Sequence, residues 1–341
     1  MDPRNHGPDP EGNYHVRNVF DLLLQCRRRK ARQQSQPDVA PRLRKGRGVR
    51  HALSTLRSCW LVRRGDKERV AGRYLEAEKL VLAALELSER VGSTPGALQA
   101  RFLNSLGMIR KYQGRYVDSA RTYLRALRIA RQDLRPHDLI VASLYHNLGG
   151  LEHARQRFRR AEPWARGAVR LRERALGSNH PDVARDLAAL ASILDGQGRN
   201  ADAERCHRRA LAIFDRHPVR ERSDAAATLA NLAACLHSMG RAAEAEIAGR
   251  RALGLLESIL GSEHPEVGVA RNNLAIILRS RGKFVEARVC YERAMATLLA
   301  RLGERHPVTA SCRDAGDWVS KTTSGATFCR EGPVSLPLRS L

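Results

Sequence analysis

Three asparagines, Asn147, Asn231 and Asn273, each stand directly before a leucine, and their separations are multiples of 42 residues. An amide side chain offers both a donor and an acceptor, so amides repeated at fixed intervals could pair with the backbone of an extended peptide whatever its sequence. The same amides could instead tie one structural element to the next. Arg101, Lys111, Arg185 and Arg279 supply cations in the same stretches. Guanidinium and ammonium groups so placed would favour an acidic segment or a terminal carboxylate.

Catalytic chemistry finds less support. His146 and His153 lie seven apart on one predicted helix, and two turns separate them by about 10 Å, too far to share a metal ion. His180, His264 and His306 each precede a proline in the same phase, which marks them as architectural. A general base must lie within hydrogen-bond reach of its partner, and these histidines are dispersed along the chain. No phosphate-binding Gly-x-x-x-x-Gly-Lys-Ser/Thr, no Gly-x-Gly-x-x-Gly, no His-Glu-x-x-His and no Gly-x-Ser-x-Gly occurs. The expectation is a non-enzyme with no cofactor and no metal. The seven cysteines are scattered singly, which favours reduced thiols over bridges, and Cys235 and Cys290 read as small buried apolar residues.

The elements that would position these side chains follow from a period. Gly72, Gly114, Gln156, Gly198, Gly240 and Gly282 are each 42 residues apart. In phase with them run Leu106, Leu148, Leu190, Leu232 and Leu274, each followed by glycine or alanine, and two columns of small residues, Ala77 to Ala287 and Ala84 to Ala294. A fixed period of this length marks a solenoid whose units bury their apolar faces only against neighbours. The spacing i, i+3, i+7 of Leu229, Leu232 and Leu236 is that of a helical apolar face, so each unit is two helices. Pro181, Pro265 and Pro307 fit the first helical position. Unit three departs, with Gln156 for the turn glycine and Pro163 inside its second helix, which predicts a late start or a kink there. Arg64 and Gly316 take the leucine phase at the two ends.

The Leu106-Gly107, Gly114, Ser119 and Ala126 offsets and their equivalents resemble the tetratricopeptide repeat. The 42-residue unit, with Leu176-Gly177-Ser178-Asn179-His180-Pro181 between units, resembles its kinesin-light-chain-like type. The resemblance covers about residues 55–313 and implies an all-α, right-handed superhelical solenoid of about six units. It also implies a concave face lined by first helices that binds peptide segments of other proteins. Carried over by phase, that face presents Arg101, Asn104 and Lys111, then His146 and Asn147, then Arg185, Asn231, Asn272, Asn273 and Arg279. The function implied is a non-catalytic scaffold or adaptor for a partner peptide, acidic by the charge of this stripe.

The chain of 341 residues carries a formal net charge of +24, which admits a second reading as a regulatory module binding nucleic acid. Residues 1–50 hold 12 basic and 5 acidic residues, a net +7, and residues 1–54 read as a basic arm with too little apolar content to fold alone. Aromatics do not interleave with its basic runs, and all but 7 of the 60 basic residues are arginine. A solvated Arg-rich exterior is therefore the favoured account of the charge, and nucleic acid the lesser partner. Residues 314–341 read as a polar tail. No apolar run is long enough to span a membrane, so a soluble, cytoplasmic protein is expected.

Overall fold

The computed structural model describes residues 45–90, 95–133, 139–217 and 221–304, together with residues 309, 312 and 313. Twelve helices occur among them: α1 (Lys45–Val70), α2 (Tyr74–Arg90), α3 (Gly96–Tyr112), α4 (Tyr116–Asp133), α5 (Leu139–Ala154), α6 (Phe158–Leu176), α7 (Pro181–Gly196), α8 (Asn200–Phe214), α9 (Arg222–Ser238), α10 (Ala242–Leu260), α11 (Pro265–Ser280) and α12 (Phe284–Leu302). No strand occurs among the described residues. Most of the predicted arm, residues 1–44, and the predicted tail from residue 314 lie outside them, as does Pro307.

Each unit pairs an odd-numbered first helix with the even-numbered second helix that follows. The columns of small residues explain the pairing. Ala77, Ser119, Ala161, Ala203, Ala245 and Ala287 are fully buried, because each sits where two helices approach too closely for a larger side chain. Ser119 keeps this slot by donating its hydroxyl to the Gly107 carbonyl at 2.7 Å. The leucines at 106, 148, 190, 232 and 274 are all buried and form the floor between helices. At the turns the backbone is left-handed, with φ of 76° at Gly114 and 57° at Gln156. Glycine adopts this conformation freely and glutamine at a cost. At the other junctions the histidines cap helices as their phase implied. His180 Nδ1 accepts from the Asp182 N–H at 3.1 Å and His264 Nδ1 from the Glu266 N–H at 3.3 Å, with proline at the first helical position.

Pro163 neither delays nor shifts the third unit. Helix α6 begins at Phe158 with Pro163 inside it, in step with α4 and α8. The register is held by packing: Trp164 meets Tyr145 edge-on with ring centroids 5.1 Å apart. Gly167 leaves room for that tyrosine, since a Cβ there would lie 2.5 Å from its ring.

Neighbouring units are joined asymmetrically. First helices touch the next first helix from α3 through α11, whereas successive second helices make no close backbone contact among the described residues. The array is therefore tighter on the first-helix side, and that side is its inner face. Second helices are linked instead by long charged side chains. Arg115 reaches Glu78 at 2.8 Å, Arg199 reaches Glu162 at 2.8 Å, Arg241 reaches Glu204 at 2.6 Å and Lys283 reaches Glu246 at 2.9 Å. A second rank of bridges runs from Arg125 to Glu89, Arg208 to Glu244 and Arg250 to Glu286.

Candidate functional site

The stripe predicted to bind a partner lies along α3, α5, α7, α9 and α11, on the inner face. Its side chains are half-buried, apart from Asn272, which is buried. Their helices explain this: one flank of each first helix packs on its own second helix, and the stripe sits between that core and the neighbouring first helix.

Several of these side chains are engaged within the array. Asn147 Nδ2 donates to Asn104 Oδ1 at 2.8 Å, an amide bridge between α5 and α3, so the structural role considered for the amides is realised in this pair. His146 Nδ1 lies 2.7 Å from Asp186 Oδ1. That carboxylate is fully buried and also accepts from Arg172 Nη1 at 3.2 Å, while Arg172 Nη2 donates to Ser143 Oγ at 3.0 Å. The imidazole is thus oriented through α7. Arg185 pairs with Asp182 at 2.6 Å, Asp224 at 2.6 Å and Glu221, so three carboxylates answer its charge.

Lys111 differs. Its ammonium has no carboxylate within ion-pair distance among the described residues, and burial pushes its pKa down. Gly150 on α5 leaves the space it occupies, because a Cβ there would come 3.3 Å from Nζ. One turn on, the pKa of His153 is also lowered, first by burial and then by the Lys111 charge, against a backbone hydrogen bond at Ser192 that raises it. The pKa of His237 is lowered by burial and by Arg279. Both rings therefore favour the neutral form, which keeps one donor and one acceptor each. Asn272 Oδ1 is buried without a hydrogen-bond partner, and Asn231 makes no side-chain hydrogen bond to any described residue. Arg101, Asn273 and Arg279 complete the stripe, each with an interaction inside the protein.

One grouping escaped the sequence reading. Asp195 Oδ2 lies 3.2 Å from His207 Nε2, and near it the Cys235 thiol donates to the Asn200 carbonyl at 3.3 Å. A cysteine, a carboxylate and a histidine meet, yet they supply no nucleophile. Burial, followed by the nearby Asp195 carboxylate, holds the Cys235 thiol far above its ordinary pKa, and the thiolate is the reactive form. Among the described residues no group of three or more His, Cys, Asp or Glu side chains could hold a metal ion, and no helix is long and apolar enough to cross a membrane.

The repeating geometry agrees with comparison to known proteins. The tetratricopeptide repeat profile matches residues 56–132, 140–216 and 224–300, and the chain belongs to that family. Its arrays are protein-interaction scaffolds. Among solved structures it is similar to BtubC (BKLC) from P. vanneervenii, at 21% identity over 70% of this chain and 93% of that one, with a TM-score of 0.55. It is similar too to the nearly identical TPR-like repeats of a Podosopora anserina protein described as a kinesin light chain, at 20% identity over 61% and 98% of the two chains and a TM-score of 0.53. A Rap protein complexed with competence and sporulation factor matches at 16% identity over 80% and 77%, with a TM-score of 0.55. At these identities the likeness concerns the fold. No curated protein sequence matches the chain.

Proposed function

We propose that the protein is an interaction scaffold whose inner groove holds an acidic, extended segment of a partner protein. The observation that carries the reading is Lys111, a half-buried ammonium on the inner face with no carboxylate partner among the described residues. Desolvating a charge is unfavourable unless a counter-charge arrives, and an acidic ligand supplies one. Asn231 and the buried Asn272 carbonyl add hydrogen-bonding capacity along the same face, and the neutral rings of His153 and His237 extend it. Arg185, already matched by three carboxylates, contributes little attraction, and the Asn104–Asn147 pair serves to hold α3 against α5. The Rap neighbour, solved with its factor bound, supports the capacity of this architecture to hold a partner and no more.

The test is binding of a fluorescent twelve-residue peptide of alternating Glu and Gly to the full chain. Lys111→Ala should weaken it about tenfold, from the loss of one charge-assisted contact, and Asn231→Ala by a smaller factor. Asn147→Ala should lower the melting temperature more than it lowers affinity. Unchanged binding by the Lys111 variant at low salt would show that the groove does not select acidic ligands through this residue.

A further inference from the structure

The outer face carries an exception that the groove does not explain. In the first turn of the second helices stand Glu76, Asp118, Asp202, Glu244 and Glu286. An acid there complements the positive helix end, and in four of these units it pairs with the cation just after the turn, as Arg115 does with Asp118 at 3.0 Å and Arg241 with Glu244 at 2.7 Å. Helix α6 has no acid in its first turn. Arg160 occupies the position, beside Arg157.

The neighbouring helix offers nothing in exchange. The register that joins Glu78 to Arg115 and Glu204 to Arg241 brings Arg157 opposite Ala120. The register that joins Arg208 to Glu244 brings Arg160 opposite Leu124. Neither arginine has a carboxylate within ion-pair distance among the described residues, and both are exposed. Leu124 and Val117 on the facing wall are also exposed, at 48% and 55%. The adjoining turn is strained at Gln156, with φ of 57°. The unanswered cations Arg157 and Arg160 and the left-handed Gln156, each a local choice that costs stability, converge on one seam, which is the pattern expected where function rather than folding sets the residues.

We infer that the seam between α4 and α6 is a second docking surface, separate from the groove, for an acidic amphipathic helix of a partner protein. The argument is charge complementarity in register. At the other seams the cation in the phase of Arg157 is answered by a glutamate projecting from the preceding second helix, and here the partner would supply the carboxylates for both Arg157 and Arg160. The aliphatic side chains of Val117 and Leu124 select such a helix over a nucleic acid, whose backbone would meet the arginines and leave the apolar wall uncovered. A 16-residue helix spans about 24 Å, enough to lie along the seam.

The full chain should be titrated with a labelled helical peptide of Glu and Leu at i, i+3, i+4 spacing, a version with Lys for Glu, and a single-stranded oligonucleotide. Arg160→Asp restores the acid found in the other units, and Ala120→Glu supplies Arg157 with the partner that Arg115 has. Both variants should fold at least as well as the natural chain, Arg160→Asp with a melting temperature about 2–4 °C higher. Each should nevertheless bind the Glu/Leu peptide at least about tenfold more weakly. Leu124→Ser should also weaken binding, and Lys111→Ala should leave it unchanged. The inference is overturned if the natural chain does not bind the peptide, or if Arg160→Asp binds it equally well. It is overturned too if the oligonucleotide displaces the peptide and binds regardless of Leu124→Ser, which would assign the seam to polyanions.

Discussion

Replacing Glu246 by glutamine removes one negative charge from a carboxylate of the outer face that meets three cations. Its oxygens receive Arg250 at 2.9 Å, Lys283 at 2.9 Å and Arg281, and its side chain is only 7% exposed. Burial alone would raise its pKa. The hydrogen bonds from Lys283, Arg250 and Arg281, with the charge of Arg250, outweigh that and bring it from 4.5 down to about 2. A difference of this size corresponds to about 3 kcal/mol of preference for the ionised form in the folded state. Glutamine keeps part of the hydrogen bonding, so Glu246→Gln is expected to cost about 2–3 kcal/mol at pH 7. The sign of the pH dependence follows. Because the folded pKa lies below the unfolded one, this contribution is present in full above pH 4.5 and is lost as pH falls toward 2. Natural chain and variant should therefore converge in stability on acidification. Repeat units couple chiefly to their neighbours, so hydrogen exchange resolved by helix is the assay to accompany urea denaturation. Protection should fall in α10, α11 and α12 and stay unchanged in α3 to α5. A variant within about 0.5 kcal/mol of the natural chain at pH 7, or a loss spread evenly over all units, would refute the reasoning.

Leu190→Ala, a change at a buried floor position in mid-array, should cost about 2–5 kcal/mol, measured by urea denaturation. Gln156→Gly relieves a left-handed residue and should stabilise by about 0.5–1 kcal/mol; a lower midpoint would mean that the Gln156 side chain contributes something glycine cannot. Lys111→Ala should raise the pKa of His153, followed by NMR titration, because the lysine charge disfavours the imidazolium. An unmoved titration would place the ammonium elsewhere in solution.

The fold was legible because everything that sets it recurs. The buried leucines, the small-residue columns and the turn glycines each answer a demand that one helix makes on the next, so the period exposes them. Pro163 does not delay α6, which starts in phase at Phe158, where a contact between Tyr145 and Trp164 that no local rule contains helps hold the register. The site was legible in part. Phase alone assigned the stripe to the first helices, but not what each member does there. Asn147 meets Asn104 at an offset of 43 residues and His146 meets Asp186 at 40, diagonals that a 42-residue ruler passes over. For the same reason Arg185 read as an available cation, although Glu221 and Asp224 arrive from the next unit, and the meeting of Cys235, Asp195 and His207 left no trace in any one segment.

The two edges of the array are made of different materials. Along the inner edge, first helices lean directly on one another, with the Asn104–Asn147 amide bridge and the ion pairs of Arg185 with Glu221 and Asp224 between them. Along the outer edge, second helices are held together by arginine and lysine side chains that reach the solvent and glutamates that are partly or wholly buried, as at Glu78 and Glu246. Such a strip is stiff on one side and elastic on the other, like two metals bonded together. Loosening the outer tethers would therefore change the spacing of the second helices while leaving the backbone contacts between first helices in place.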